Sequence, residues 1–302
     1  MEHDPDLDTV GLFEARYAAF IETLGHLRPR LHRYCARMTG SVFDGEDVMQ
    51  GALFEAYRNL DRFDDNQPLG PWLFRIAHNR CIDFLRRRSV REKTEAAAAE
   101  TEPVSQGEPA GADVGHALER LVVSLPPKER ACVLLKDVFE HSLEEIAELV
   151  GSTIGGVKAA LNRGRGKLAV IHEAPKAGRS VDPALFDLLR LYVERFNQGD
   201  WDGLRELASA DARLRVADCF AGRLVDSPYF VEYERAAISW RAVLGEVDGE
   251  PVMILLRDEG KGWVPSSAVR FAQSEGRISR ITDYFKTPWV LGAATSVTTG
   301  IA

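Results

Sequence analysis

The chain has 302 residues, 45% of them apolar, and a formal net charge of −8. That length supports two or three domains of ordinary size rather than one core. No stretch approaches the roughly 20 apolar residues that span a bilayer, and no basic start followed by an apolar run marks a leader, so a cytoplasmic protein without a membrane partner is expected.

In chain order, Leu27, Leu31, Tyr34 and Met38 recur at helical spacing, and Gly40 supplies a stop. A second helix is expected to open at Asp44, where Glu46 and Asp47 complete an acidic first turn suited to the positive end of a helix. It carries Met49, Leu53, Ala56 and Leu60 on one face. After a loop at 62–70, Pro71 takes the favoured first position of a third helix bearing Trp72, Leu73, Ile76, Ala77 and Phe84. That helix is expected to end in Arg86, Arg87 and Arg88.

Residues 95–115 turn to alanine, glutamate, glycine and proline, a composition that cannot bury enough apolar surface to order itself, and they read as a tether. Beyond it, Leu118, Leu121, Val122 and Leu125 line a helix, Pro126 and Pro127 break it, and another helix is predicted from Lys128 to about Phe139. Ser142 with Glu145 three residues on is a capping box, followed by Ile146, Ala147 and Val150 as a short apolar face. Gly151 ends that helix. The next starts at Ser152 or Thr153 and turns Val157, Leu161, Gly164 and Leu168 inward. Two short helices joined by a glycine turn, the second basic on its outer face, make a helix-turn-helix.

A second break lies at 175–179. Asp182 and Pro183 then open an amphipathic helix with Leu185, Leu188, Leu189, Tyr192, Val193 and Phe196, closed by Gly199, and a short helix is predicted at 204–208. Strand-like alternation follows at 214–216, 252–257, 264–271 and 278–284, with turn signals at Asp248-Gly249, Glu259-Gly260 and Glu275-Gly276. Helices followed by an antiparallel meander predict an α+β domain. Three domains are therefore expected, at 13–92, 115–172 and 180–292, the first two joined by a flexible linker at 93–114.

The net acidity conceals two basic stretches. Arg75, Arg80, Arg86, Arg87, Arg88, Arg91 and Lys93 are opposed only by Asp83 and Glu92, and Lys158, Arg163, Arg165 and Lys167 stand with no acid among them. Clusters of this kind are the electrostatic footprint of nucleic-acid binding. In the helix-turn-helix, Lys158, Asn162, Arg163 and Arg165 are candidates for phosphates and base edges in a major groove, with Thr153, Gly155 and Gly156 where the helix N-terminus meets the DNA backbone. Asp83 is expected to pair internally with Arg87, four residues on, and Trp72 to belong to the core.

Cys35, Cys81, Cys132 and Cys219 form no C-x-x-C pair, which argues against a disulfide framework and a cysteine zinc site. His32 with Cys35 and His78 with Cys81 are helix-spaced pairs that can in principle ligate a metal. Their apolar surroundings favour buried packing instead, and neither metal nor cofactor is expected.

The segment Asp44-Gly45-Glu46-Asp47-Val48-Met49-Gln50, followed by Phe54 and Tyr57, resembles the region-two helix by which extracytoplasmic-function (ECF) sigma factors grip the RNA polymerase clamp. The resemblance implies core polymerase as a partner of Asp44, Glu46, Asp47, Val48 and Gln50, an acidic helix end meeting a basic clamp. The run from Pro71 to Asn79, with Asp83 and Arg86-Arg87-Arg88, is similar to the part that recognises and melts the minus-ten element. It implies promoter DNA as a partner of Arg75, His78, Asn79, Arg80, Arg86, Arg87 and Arg88, the preceding loop holding an extruded base. Leu125-Pro126-Pro127-Lys128-Glu129-Arg130 and the stretch from Ser142 to Lys158 resemble region four, which implies Thr153, Lys158, Asn162, Arg163 and Arg165 at the minus-thirty-five element. These likenesses cover about 13–170. The chain departs from the family pattern at Gly156 and Ala159, where threonine and serine often stand.

From Leu191 to Asp200, and again in Ile281-Thr282-Asp283-Tyr284-Phe285, the last third resembles the SnoaL-like cone appended to some ECF sigma factors. The implied architecture is multidomain, two all-α helical domains followed by an α+β SnoaL-like cone. Relatives of that cone include isomerases, cyclases and hydrolases that use a carboxylate in a pocket, and members without catalysis. Asp218, Asp226, Tyr229, Trp240, Trp263, Arg270 and Asp283 can line such a pocket, but no paired nucleophile and base favours chemistry, so no catalytic residue and no enzyme is expected. Residues 179–302 hold 18 acids and 15 bases, a balance suited to a cis regulator that repels DNA or shields basic helices, with a small-molecule ligand as a further candidate partner. The competing readings are a bifunctional protein with a catalytic or ligand-sensing cone and a stand-alone helix-turn-helix regulator.

Overall fold

A computed structural model describes residues 5–64, 66–98, 121–170, 183–235, 239–258, 260 and 262–300. The tether beyond residue 98, Leu118, the break at 175–179, the Asp182 cap and Glu259 lie outside the described residues. The described residues divide into two compact units, one holding 5–98 and 121–170, the other 183–300. Both helical segments fall within the first of these units.

In the helical unit, α1 (Pro5–Thr39), α2 (Val42–Arg58) and α3 (Leu69–Ala98) pack around Leu31, Tyr34, Met38, Phe43, Met49, Leu60 and Leu73, all essentially inaccessible. Gly40 ends α1 at φ +83°, as its lack of a side chain permits. Ser41, not Asp44, caps α2, its hydroxyl accepting from the Asp44 amide at 3.3 Å, so the helix begins at Val42. The helix α3 opens at Leu69 and leaves Pro71 within the first turn, where its missing N–H removes no helical bond. It runs past the arginines to Ala98 because Ala96, Ala97 and Ala98 are strong helix formers.

The second helical segment holds α4 (Pro127–Val133), a π-helical turn (Leu134–Val138), α5 (Leu143–Leu149) and α6 (Ile154–Leu168). The helix predicted to reach Phe139 is therefore interrupted at Leu134. Both bonds of the Ser142–Glu145 capping box form, at 3.1 and 2.7 Å. Gly151 adopts φ +61° and Thr153 caps α6, whose Val157, Ala160, Leu161 and Gly164 are buried. Phe139 joins the segments, its ring 5.8 Å from Tyr34 and 6.0 Å from Phe74. Apolar surface left over by each segment is buried against the other, which explains the single unit.

The second unit contains α7 (Pro183–Gln198), α8 (Trp201–Leu207), α9 (Tyr229–Arg235) and α10 (Trp289–Gly292). Its strands are β1 (Ala208–Val216), β2 (Phe220–Arg223), β3 (Trp240–Val247), β4 (Glu250–Asp258), β5 (Trp263–Ser274), β6 (Arg277–Asp283) and β7 (Val297–Thr299), in the order β2-β1-β6-β5-β4-β3-β7. From β3 to β6 the chain is the expected antiparallel meander. The pairing of β1 with β6 is parallel, however, so the sheet is mixed. No hairpin links that pair, and the intervening chain is long enough to bring β6 back in the same direction. Leu189, Tyr192 and Phe196 of α7 are buried, and Tyr192 and Phe196 share a core with Leu214, Met253, Leu255, Val269 and Ile281 of the sheet. No helix among the described residues is long and apolar enough to cross a membrane.

Candidate nucleic-acid interface

Along α3, Arg75, Asn79, Arg86, Arg87 and Arg91 are exposed. Arg80 donates to Glu55 Oε2 at 2.5 Å, and Arg88 donates to the Thr39 carbonyl at 2.8 Å. His78 departs from its expected role. Its side chain is buried, Nδ1 shares a 2.8 Å hydrogen bond with the Tyr34 hydroxyl, and burial lowers its pKa to about 4, so it presents neither surface nor charge to DNA. Asp83 does meet Arg87, but through its main-chain carbonyl at 3.2 Å, as one helical turn dictates. Trp72 is half-buried against Phe63, ring centres 4.8 Å apart.

On α2, Asp47 is exposed, and Asp44 and Gln50 are partly so. Glu46 is buried, against the expectation that it faces a partner, and Val48 is nearly so, what remains of its surface lining the cleft with α3. Glu46 instead accepts from Gln50 Nε2 at 2.7 Å and lies 3.8 Å from His32 Nε2. His32 itself donates to the Val42 carbonyl at 2.8 Å, and burial brings its pKa to about 4. Asp47, Gln50, Phe54 and Tyr57 share the outer face of α2, with Phe54 63% and Tyr57 45% exposed. Tyr17 of α1 packs edge-on against Tyr57 at 5.8 Å, an extension of this face that no spacing in the sequence announces.

Between α2 and α3 lies an open cleft of about 440 Å³, lined by Asp47, Val48, Gly51, Arg80, Phe84, Arg87, Arg88 and Arg91. It brings residues from the two candidate groups of the first segment to a single place.

In α6, Lys158, Asn162, Arg163, Arg165 and Lys167 are exposed, while the Thr153 hydroxyl is occupied in accepting from the Gly156 amide at 3.1 Å. Glu129 on α4 receives Arg163 Nε at 2.9 Å and Lys167 Nζ at 2.7 Å, which hold its carboxyl below the usual range. Asp137 receives Arg165 Nε at 3.1 Å. Neither acid is marked by sequence spacing, because helices distant in the chain make these pairs.

In the sheet unit, Asp283 is 1% exposed. Its Oδ2 accepts from the Tyr229 and Tyr233 hydroxyls at 2.9 and 2.5 Å, and its Oδ1 from the Phe285 amide at 2.8 Å. Burial pushes its carboxyl pKa up. Trp240 joins this cluster through Tyr233 and Phe285, at ring distances of 6.2 and 5.4 Å. Asp218, Asp226 and Trp263 are exposed, and Arg270 pairs with Glu250 at 2.6 Å. The carboxylate is thus engaged by its own chain on both oxygens.

Cys35, Cys81 and Cys132 are buried and Cys219 is exposed. Among the described residues no group of three or more His, Cys, Asp or Glu side chains is placed to hold a metal ion.

Residues 24–91 match the family described as Sigma-70 region 2, and residues 115–168 match Sigma-70, region 4. The chain is 32% identical over 159 residues to the ECF RNA polymerase sigma factor SigW of Bacillus subtilis (strain 168), which spans 49% of this chain and 85% of that protein. It is 30% identical over 213 residues to SigG of Mycobacterium tuberculosis, spanning 61% of this chain and 58% of that protein. A crystal structure of the Mycobacterium tuberculosis sigma factor SigJ aligns over 89% of this chain and 97% of that one, at 20% identity and a TM-score of 0.35. With both sigma regions in order and a relative matched over most of its length, the chain belongs to the ECF sigma factors, which direct RNA polymerase to initiate transcription at specific promoters.

Proposed function

We propose that this sigma factor docks on core polymerase through the outer face of α2, follows the melted minus-ten strand with the exposed arginines of α3, and reads the minus-thirty-five duplex with α6. The observation that carries the reading is the cleft between α2 and α3, where Asp47 stands opposite Arg80, Arg87, Arg88 and Arg91. A partner surface that satisfies the α2 face brings a single strand directly onto this basic row. Acid on one wall and base on the other suit a basic protein and a polyanion as neighbours.

The sheet unit is read as a SnoaL-like cone without catalysis, acting on initiation in cis. In support, Asp283 is hydrogen-bonded on both oxygens by Tyr229, Tyr233 and Phe285, so it is poorly placed to take a proton from a substrate. Multiple-round transcription with purified core polymerase tests both statements. The full chain should initiate at specific promoters, and a truncation ending near Pro175 should do so with altered activity. Equal activity of the two forms on every template removes the regulatory role, and no initiation by either removes the minus-ten and minus-thirty-five assignments.

A further inference from the structure

We infer that Asn162 is the base-reading side chain of α6 and that it selects an A·T pair within the minus-thirty-five element. The inference rests on the assignment of α6 to the promoter duplex and specifies what that helix reads.

At about 100° per residue, the face opposite the buried Val157, Ala160, Leu161 and Gly164 carries Gly155, Ala159, Asn162 and Gly166. Asn162 is the sole residue of that face with a polar side chain. It is exposed and has no hydrogen-bond partner among the described residues. The cations lie on the flanks, and three of them are already committed, Arg163 and Lys167 to Glu129 and Arg165 to Asp137. These pairs hold the three cations beside Glu129 and Asp137, to the sides of that face. On the flanks they are placed for phosphates, which fix register and carry no sequence information.

The bareness of the face is not demanded by packing. A Cβ at Gly166 meets nothing within 4 Å, and one at Gly155 meets only the Thr153 hydroxyl at 3.9 Å. By contrast a Cβ at Gly164 falls 2.9 Å from Val133, so that glycine has an internal reason. Glycine is among the poorest residues for a helix interior, so Gly166, which has no internal role, favours an external one, close approach of the backbone to the floor of a groove. The single carboxamide on such a helix both donates and accepts. That pattern matches adenine N6 and N7 in the major groove, the pairing asparagine makes best.

The test uses holoenzyme assembled from core polymerase and the full chain, transcribing a promoter library randomised across the minus-thirty-five element, with transcripts counted for each template. Wild type should prefer A·T at one position, and Asn162→Ala should reduce that preference by about tenfold while leaving the other positions ordered as before. Alanine is a good helix residue at this exposed site, so the variant folds. Lys158→Ala should lower all templates together and serves as the phosphate-contact comparison. An unchanged preference profile for Asn162→Ala, or a preference it removes that is for G·C, overturns the inference while the role of α6 survives. Wild-type transcription indifferent to the minus-thirty-five sequence overturns the inference and the role of α6 together.

Discussion

The Arg130 guanidinium donates to the main-chain carbonyl of Met38, ninety-two residues away, and ties the second helical segment to the end of α1. The same side chain reaches the Val123 carbonyl and, at 3.0 Å, the Leu125 carbonyl, so one buried fork satisfies acceptors on both segments. Burial and the nearby Arg88 lower its pKa to about 10, which still leaves it charged at neutral pH. Arg130→Met strands these carbonyls and is expected to cost about 2 to 4 kcal/mol. Arg130→Lys keeps the charge but not the fork and should recover only part of that. Urea unfolding midpoints of the three proteins check the order; a methionine variant as stable as wild type contradicts the role of the fork.

At Gly45 the backbones of α1 and α2 come close, and a Cβ there falls 2.5 Å from the Ala36 amide nitrogen. Backbone cannot yield as a flexible side chain can, so Gly45→Ala should destabilise by about 1 to 3 kcal/mol through overpacking. Gly51, one face removed on the same helix, has nothing within 4 Å of its Cβ position. Gly51→Ala should therefore stabilise by about 0.5 to 1 kcal/mol through helix propensity alone. Thermal unfolding of the two variants side by side reads the opposite signs.

Much of this architecture is legible in the amino-acid sequence. The Ser142–Glu145 box and the Gly151 turn are local and appear where the sequence places them, and of the two starts it leaves open for α6, Ser152 and Thr153, the structure uses Thr153. What escaped depends on contacts between distant parts of the chain. The strand β3 pairs along its length with β4, yet its Trp240–Val247 stretch mixes Arg, Gly and Glu with apolar residues and gives only a broken alternation. The burial of Glu46 and His78 follows from helix packing that no single-helix pattern encodes, and the motif containing them looks the same whether they face in or out. Glu129 and Asp137 became part of the α6 face only once α4 lay beside it.

His32 and His78 make the helical unit sensitive to acid. Burial lowers both from the ordinary 6.5 of a histidine to about 4, so between these values the unfolded chain binds protons that the folded chain refuses. Stability therefore rises with pH across that window, is lost as pH falls through it, and becomes independent of these two groups below about 4. Each histidine accounts for about 3 kcal/mol at most. Glu129 and Glu145, held low by their partners, add a loss of the same sign at still lower pH. Urea titrations at pH 7 and pH 4.5 should show a smaller difference for His78→Gln than for wild type; equal differences rule out His78 as a contributor.

Asp283 offers a test of whether its cluster is structural. In Asp283→Asn the amide keeps one acceptor oxygen but sets an NH2 group against the donors that the carboxylate satisfied, so at least one of the Tyr229 and Tyr233 hydroxyls or the Phe285 amide loses its partner. The expected cost is about 1 to 3 kcal/mol. Thermal unfolding of the full chain should register it as a lower midpoint, and a variant as stable as wild type is inconsistent with a structural role.

Arg86, Arg87 and Arg91 extend exposed from the far half of α3, and their proposed contacts to a melted strand carry a salt signature. Each phosphate contact removed should lower the slope of log affinity against log salt by about 0.7 for single-stranded DNA. Arg86→Ala with Arg87→Ala should then flatten the salt dependence of holoenzyme binding to a pre-melted promoter by roughly 1.4, with little effect on the unfolding midpoint of the free chain. Loss of binding at all salt concentrations with an unchanged slope instead points to damaged polymerase docking, because Arg87 also lines the cleft beside Asp47.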